Sequence, residues 1–164
     1  MYDQYNRKID YLRISLTDRC NLHCRYCRPE VSEHVPHNEI LRYEELLRIC
    51  RAALQLGIRK FKITGGEPLL RKSCSDFIAS LKQLDGVEQV TLTTNGTLLA
   101  QQLPALIQAG VDSINVSLDT LNAAYYTELT GGSLSSVLQS LRELQAAGIP
   151  FKLNCVPLAE NGLT

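Results

Sequence analysis

The sequence contains no tryptophan, one methionine and three histidines, and it has no surplus of charge of either sign. Its 17 lysines and arginines balance 17 aspartates and glutamates, so it lacks the basic surplus typical of proteins that bind nucleic-acid backbones. It has no run of about 18 apolar residues that could cross a membrane, and no apolar segment at its start that resembles a secretion signal. We therefore expect a cytoplasmic protein that binds neither nucleic acid nor membranes.

The chain does have enough apolar residues for one core. Of its 164 residues, 45% are hydrophobic, and a chain of this length can bury about two-thirds of its unfolded surface. Its six cysteines, in a chain without a secretion signal, are more typical of metal ligands or thiols than of disulfides. No linker or low-complexity tract interrupts the sequence, which predicts one domain over residues 1–164.

A glycine followed by isoleucine or valine recurs four times, each time after an amphipathic stretch and before a β-rich run. This pattern is typical of helix ends that lead directly into strands. The predicted helices cover residues 43–56, 73–84, 99–109 and 134–147. The predicted strands cover residues 11–17, 60–64, 89–93, 113–118 and 151–156. Alternating strands and helices indicate an α/β fold with parallel strands.

Every predicted strand alternates apolar and polar residues, which is unusual for parallel strands covered on both faces. One sheet face is therefore predicted to be dry and the other polar, as in an open sheet with one solvated face or a curved sheet around a lumen. Each predicted helix follows a predicted strand, and all of these helices would cover the same apolar face of the sheet. Because a sheet covered on one face curls toward a barrel, we favour the curved sheet. With five strands, the prediction is a partial TIM-like (β/α) barrel.

Directly after the first predicted strand lie three closely spaced cysteines: Cys20, Cys24 and Cys27. Their C-x3-C-x2-C spacing lets three thiolates converge on one centre. A structural zinc site almost always needs a fourth protein ligand, and three histidines could supply it: His23, His34 and His37. A 4Fe-4S cluster held by three thiolates instead leaves one iron open to another ligand. Considered alone, the loop is compatible with zinc, with a cluster and with unligated thiols.

The other three cysteines are too scattered to form a second metal site. The pattern around Cys50 indicates a residue in the core-facing side of a helix, and Cys155 has the parity of a strand residue packed beneath a helix. Cys74 is interpreted as a loop thiol. We expect none of the three to bind a metal.

Three motifs occur in order along the chain: the cysteine loop with Tyr26 before its last cysteine, Gly65-Gly66-Glu67-Pro68, and Thr93-Thr94-Asn95-Gly96. Together they resemble the radical S-adenosylmethionine (SAM) superfamily. Residues 12–20, 63–69 and 114–119 further resemble the molybdenum-cofactor biosynthesis protein A family, the GTP 3',8-cyclases. The similarity extends over essentially the whole chain, and it implies a partial (β/α)6 barrel.

In that family, SAM chelates the open iron of a 4Fe-4S cluster, and one electron cleaves it to methionine and a 5'-deoxyadenosyl radical. The radical then abstracts a ribose hydrogen from GTP. The resemblance implies that the three loop cysteines bind the cluster and that five residues contact SAM: Tyr26, Gly65, Gly66, Glu67 and Ser117. Without the resemblance, the glycine segment is an ordinary turn and Ser117 is a buried serine bonded to the backbone.

The resemblance also implies four contacts with GTP: Arg13, Lys62, Thr93 and Lys152. The three cations share the polar face and need anionic partners, which a triphosphate would supply. The alternative partners are Asp119, Glu67 and water. Lys62 departs from the family, which usually has arginine there; lysine keeps the charge but loses the planar, bidentate fork. Arg28 also departs, because the family commonly has methionine at that position.

The family carries a second 4Fe-4S cluster on a C-terminal three-cysteine motif, and this sequence reaches Thr164 without one. We therefore interpret the chain as the N-terminal, SAM-binding part of such an enzyme. The expected partners are GTP and an electron donor for the cluster, with a possible homo-oligomer. Two other functions remain open: a radical SAM maturase that modifies peptides, and a non-enzymatic fragment stabilised by a metal.

Overall fold

The computed structural model describes residues 2–27 and 35–157. These residues form five strands: β1 (Tyr11–Ser15), β2 (Lys60–Thr64), β3 (Gln89–Thr94), β4 (Ser113–Ser117) and β5 (Phe151–Asn154). They also form five α-helices: α1 (Tyr43–Gln55), α2 (Cys74–Lys82), α3 (Leu99–Gln108), α4 (Ala123–Thr130) and α5 (Leu134–Ala146). Short 3-10 helices cover His37–Glu39 and Pro68–Leu70. Within the described ranges, no helix is long and apolar enough to cross a membrane.

The five strands form one parallel sheet in the order β1-β2-β3-β4-β5. Each strand pairs with the next one along the chain, because a helical crossover returns the chain to the neighbouring parallel position. In the part of the chain that the structure describes, β1 and β5 do not pair with each other, so the sheet is open. The predicted α/β fold, a partial TIM-like barrel with five parallel strands, is confirmed.

The apolar face of β1 to β4 packs against the helices, as the alternation predicts. Phe61 and Ile63 of β2 and the matching residues of β3 and β4 are almost completely buried. Helix α2 shows why the covering segments are helical. Its buried residues follow the three- and four-residue spacing of one helix face: Cys74, Phe77, Ile78 and Leu81. The core therefore lies between the sheet and its helices.

The prediction is wrong for the apolar face of β5. Leu153 is 51% exposed, and Cys155 is exposed rather than packed beneath a helix. Every residue of β5 is exposed, because no helix of the described ranges follows this strand to cover it. The alternation in β5 nevertheless indicated the strand itself correctly.

The two other scattered cysteines lie in the core. Cys50 is buried in α1, as predicted, and burial raises the pKa of its thiol to about 11. The interpretation of Cys74 as a loop thiol is wrong, because it is the first residue of α2 and only 2% exposed. Burial raises the pKa of the Cys74 thiol to about 12. Both side chains therefore behave as small apolar residues.

Helix α4 is absent from the sequence-based prediction, so the strict alternation of strand and helix is also wrong: α4 and α5 both lie between β4 and β5. The side chain of Asn122 caps α4 by accepting a hydrogen bond from the Tyr125 backbone N–H at 3.0 Å. Gly131 ends it in the left-handed region, at a φ of 72°. Asparagine before a helix and glycine after it are ordinary boundary signals. The sequence therefore contains the signals that mark both ends of α4.

The buried cysteines lead to a stability prediction. Cys50→Ala and Cys74→Ala each remove a buried sulfur, which should lower the free energy of unfolding by about 1–2 kcal/mol, as for other small deletions in a core. Cys155→Ala is the exposed control and should change it by less than about 0.5 kcal/mol. Urea unfolding followed by circular dichroism measures all three. Equal stability of Cys74→Ala and Cys155→Ala would contradict the packing described for α2.

Candidate active site

The loops that follow β1, β2, β3 and β4 meet at the carboxyl edge of the sheet, where parallel α/β proteins bind their ligands. We call them the cysteine loop (residues 20–27), the glycine loop (65–68) and the asparagine loop (94–97); Asp119 follows β4. Hydrogen bonds between these segments, described below, connect all of them. The motifs singled out in the sequence therefore lie together in space.

Helix α4 anchors the cysteine loop. The backbone N–H of His23 donates to the Thr130 carbonyl at 2.9 Å, and that of Arg25 donates to the Leu129 carbonyl at 3.0 Å. Carbonyls in the last turn of a helix lack partners within the helix, so they are available to accept these bonds. The buried side chain of Leu22 adds an apolar contact with the residues that follow α4. The helix that the sequence analysis missed thus positions the central motif.

The structure brings the three loop cysteines together. Burial raises the pKa of the Cys24 thiol to about 11, and the neighbouring Cys20 and Cys27 are the next largest causes. Cys20 and Cys24 are half-buried, whereas Cys27 is exposed. Cys20 and Cys27 therefore lie near enough to Cys24 to act on its thiol electrostatically.

Zinc stays the alternative to a cluster for the cysteine loop. In the described ranges, no three His, Cys, Asp or Glu side chains are close enough together to hold a single metal ion. His23 is exposed. His34, Arg28 and the His37 side chain lie outside the described part.

Tyr26 joins the cysteine loop to the end of β4. Its hydroxyl donates to Oδ2 of Asp119 at 2.6 Å, and Oδ1 of the same carboxylate accepts from the Val156 backbone at 2.9 Å. Burial, reinforced by the Asp119 carboxylate, holds the pKa of Tyr26 well above its usual value. Asp119 is 5% exposed, while Tyr26 keeps 40% of its surface exposed. The aromatic ring is thus fixed in direction and still accessible to a ligand.

The two glycines allow the glycine loop to approach the chain just before the cysteine loop. The Gly66 N–H donates to the Thr17 carbonyl at 2.6 Å, and the Glu67 N–H donates to the Arg19 carbonyl at 2.7 Å. A Cβ atom on Gly65 would lie 2.6 Å from the Thr17 oxygen, and one on Gly66 would collide with the Arg19 carbonyl. On this side the space left by the glycines is therefore filled by backbone.

Glu67 is completely buried, with 0% of its surface exposed. Its carboxylate accepts hydrogen bonds from the Leu69 N–H at 3.0 Å, the Thr94 hydroxyl at 2.8 Å and the Asn95 N–H at 2.7 Å. Burial raises the pKa of Glu67, although these three bonds oppose the shift. The carboxylate thus connects the glycine loop to the asparagine loop. Its predicted contact with SAM stays a prediction.

The polar face carries the residues predicted to contact GTP. Arg13 lies opposite Lys62 in the register of β1 and β2, while Thr93 and Lys152 both lie opposite Asn115. Directly opposed like charges destabilise a sheet unless an anion lies between them. Ser117 follows on the same face at the end of β4 and is half-buried. The face therefore presents positive charge and hydrogen-bonding groups.

No carboxylate of the described residues forms a salt bridge with Arg13, Lys62 or Lys152, although other lysines of the chain are paired. Arg13 donates only a long hydrogen bond, of 3.4 Å, to the Thr64 hydroxyl. The alternative partners named from the sequence, Asp119 and Glu67, bond to other groups. The three cations are thus available to an anionic ligand.

A cavity of about 180 Å³ opens on this face. Its lining includes Lys62 and Lys152 together with polar residues that the sequence analysis did not select: Lys60, Thr91 and Asn115. These three share the parity of the selected residues, which is the signal that could have found them. Lys60 is already paired with Asp10 at 3.2 Å.

The profile of the radical SAM superfamily matches residues 14–161 of the chain. The chain belongs to the radical SAM superfamily, whose members use a 4Fe-4S cluster and SAM.

Within the superfamily, the chain is similar to GTP 3',8-cyclases. It is 48% identical to that of Pelotomaculum thermopropionicum over 95% of this chain and 49% of the relative. It is 47% identical to that of Peptoclostridium acidaminophilum, again over 95% of this chain and 49% of the relative. The chain thus spans about half the length of the curated relatives that it matches.

Solved structures confirm the fold. Streptococcus suis SuiB bound to the precursor peptide SuiA aligns with a TM-score of 0.73 and 21% identity, over 93% of this chain and 34% of SuiB. The SAM-bound protein anSMEcpe aligns with a TM-score of 0.71 and 22% identity, over 88% of this chain and 41% of anSMEcpe. At these identities the likeness concerns architecture alone.

Glu67 leads to a prediction about pH. Because its folded pKa lies above the ordinary value of 4.5, the charged form is penalised in the folded state. The wild type should therefore lose stability relative to Glu67→Gln as pH rises from 4.5 through the raised pKa, with a slope of at most about 1.4 kcal/mol per pH unit.

Urea unfolding of both proteins at a series of pH values measures this difference. Glu88 is exposed and provides the control. The stability difference between Glu88→Gln and the wild type should stay constant over the same pH series. A stability difference between wild type and Glu67→Gln that stays constant with pH would contradict the raised pKa of Glu67.

Proposed function

We propose that this chain is the SAM-binding core of a GTP 3',8-cyclase and that it forms a single domain. The observation that carries the proposal is the combination of two features on one sheet. The cysteine loop, in which Cys20 and Cys27 act electrostatically on Cys24, lies at the carboxyl edge beside the asparagine loop. The adjoining polar face carries Arg13, Lys62 and Lys152, which have no salt-bridge partner among the described residues. The sequence similarity to GTP 3',8-cyclases supports this choice of reaction.

In this proposal Cys20, Cys24 and Cys27 bind a 4Fe-4S cluster through their thiolates. The residues fit that group, because three sulfur ligands on one loop leave one iron open for SAM. When bound and reduced, the cluster supplies the electron that converts SAM to a radical able to take a ribose hydrogen from GTP. The chain itself provides ligands, orientation and exclusion of water.

SAM would lie over the carboxyl edge, between the cysteine loop and the ends of the strands. The accessible ring of Tyr26 offers an apolar surface to it, while Ser117 and the backbone carbonyls of Gly65 and Gly66 offer hydrogen-bonding groups. The buried carboxylate of Glu67 fixes the loops on either side, and its own contact with SAM stays a prediction. Because Asp119 holds the Tyr26 hydroxyl at 2.6 Å, the ring needs little reorganisation when SAM binds.

GTP would bind along the polar face with its triphosphate near Arg13, Lys62 and Lys152. A phosphate chain neutralises cations that otherwise repel one another, so binding relieves the repulsion between Arg13 and Lys62. Thr93 can donate a hydrogen bond to the nucleotide from the neighbouring strand. In this proposal the ribose would lie between the phosphates and the carboxyl edge. Lysine at position 62 binds phosphate as a point charge and without the bidentate geometry of arginine.

The exposed position of Cys27 supports a route for electrons into the cluster. In this proposal a protein donor approaches the cysteine loop from the Cys27 side. We propose that such a donor works in the reducing cytoplasm, where unpaired thiols persist. Six cysteines without a disulfide among the described residues are compatible with this setting.

A peptide-modifying maturase remains the second candidate from the sequence, and SuiB, crystallised with a precursor peptide, shares the architecture of this chain. Its identity with this chain is 21%, against 48% for a GTP 3',8-cyclase. A triphosphate also accounts for the three cations better than a peptide of unspecified charge does. GTP binding therefore distinguishes the two candidates.

The first test concerns the cluster ligands. After anaerobic reconstitution, the wild type and Cys155→Ala should bind about four irons per chain, whereas Cys20→Ala, Cys24→Ala and Cys27→Ala should lose most of them. Iron analysis and the visible absorption band measure the content. Wild-type iron content in all three loop variants would overturn the assignment, and zinc in place of iron would favour the metal-stabilised fragment.

The second test concerns GTP. Lys62→Ala and Lys152→Ala should each weaken GTP binding about tenfold or more, because each removes a charged contact with phosphate. Lys82→Ala is the control, since Lys82 is paired with Asp112 at 2.9 Å away from the polar face. Isothermal titration calorimetry measures the affinities. Unchanged affinity in both variants would contradict this placement of the triphosphate.

A further inference from the structure

Asn95, in the asparagine loop, uses the whole hydrogen-bonding capacity of its side chain. Oδ1 accepts from the Thr97 backbone N–H at 3.0 Å and from the Thr97 hydroxyl at 2.7 Å. Nδ2 donates to Oδ1 of Asn21 at 2.9 Å and to the sulfur of Cys20 at 3.7 Å. An asparagine amide has two donors and two acceptor positions, so each of them has a partner here.

These partners fix which end of the amide faces the cysteine. A backbone N–H can only donate, so the atom that bonds to the Thr97 N–H must be the oxygen. The nitrogen therefore points toward Cys20 and Asn21. Asn21 strengthens this orientation, because its own Nδ2 donates to the Thr97 hydroxyl at 2.9 Å. The three side chains form a closed ring of bonds beside the first cysteine.

The backbone around Asn95 is held from two sides. Its N–H donates to the buried carboxylate of Glu67 at 2.7 Å. The carbonyl of the next residue, Gly96, accepts from the hydroxyl of Ser140 in α5 at 2.7 Å. A Cβ atom on Gly96 would lie 2.9 Å from the Val116 side chain, so the loop is closely packed. The donor aimed at Cys20 thus has little freedom to turn away.

We propose that Asn95 is a positioning residue that raises the reduction potential of the cluster by donating a hydrogen bond to the sulfur of Cys20. This inference rests on the proposed ligation of a 4Fe-4S cluster by Cys20. Reduction adds one negative charge to the cluster and its thiolates. A hydrogen bond to a ligand sulfur stabilises that added charge, and such bonds are among the factors that set cluster potentials.

Two substitutions remove the donor in different ways. Asn95→Asp keeps the shape and the acceptor for Thr97 but replaces the NH2 group with a carboxylate oxygen. Asn95→Ala removes the donor without adding charge. Thr97→Val is the matched control, because it removes a hydroxyl from the same ring while the Thr97 N–H still holds the Asn95 amide in place.

The experiment is an anaerobic redox titration of the reconstituted full chain without SAM, followed by the electron paramagnetic resonance (EPR) signal of the reduced cluster. At a fixed potential, Asn95→Ala should lower the ratio of reduced to oxidised cluster by up to about tenfold, which corresponds to a midpoint about 59 mV more negative. Asn95→Asp should lower it further, because it adds a negative charge. Thr97→Val should stay within about twofold of the wild type.

The outcomes separate this inference from the proposed function. A cluster of normal iron content with an unchanged midpoint in both Asn95 variants would overturn the role of Asn95 and leave the cysteine ligands intact. Loss of the cluster in both variants would also overturn it, by showing that Asn95 only holds the loop together. A wild-type chain that binds no cluster would overturn both proposals.

Discussion

The arrangement of the site depends on one buried carboxylate. Glu67 lies at the edge of the core and has no exposed surface. Its carboxylate accepts hydrogen bonds of 2.7 to 3.0 Å from the loops that follow β2 and β3. Charge in such a place is costly unless several donors compensate it. Because the donors come from two loops, the carboxylate stabilises only the arrangement in which those loops meet. The cysteine loop then joins this pair through Asn95 and the backbone of residues 17–19.

The sheet separates two kinds of chemistry. Its apolar face is closed by helices, and the interior near β2 to β4 contains almost entirely aliphatic and aromatic side chains. Its polar face carries Arg13, Lys62 and Lys152, with which no carboxylate of the described ranges forms a salt bridge. The carboxyl edge, where the strands end, borders both faces. In the proposed function, a group bound at the edge would be in reach of a ligand on the polar face, while the core remains closed.

Much of the fold could be predicted from the sequence, because glycine caps and strand alternation are local signals. The strands β2 and β3 begin where predicted, whereas the spacing of the cysteine motif left the choice of metal open until the resemblance was considered. Helix α4 was missed although Asn122 and Gly131 mark its ends. The role of Glu67 could not be predicted, because its bonds to Thr94 and Asn95 join residues 27 and 28 positions apart. The exposure of Cys155 could not be predicted either, because the alternation of a strand does not indicate whether a helix covers its apolar face.

The central claim is that the three loop cysteines hold a cluster with one iron open to SAM. The most direct measurement is the EPR spectrum of the reduced, reconstituted chain before and after the addition of SAM labelled with 17O in its carboxylate. The account predicts that SAM changes the spectrum and that the label broadens it, because the carboxylate binds iron. A spectrum that is identical with and without SAM would contradict the account.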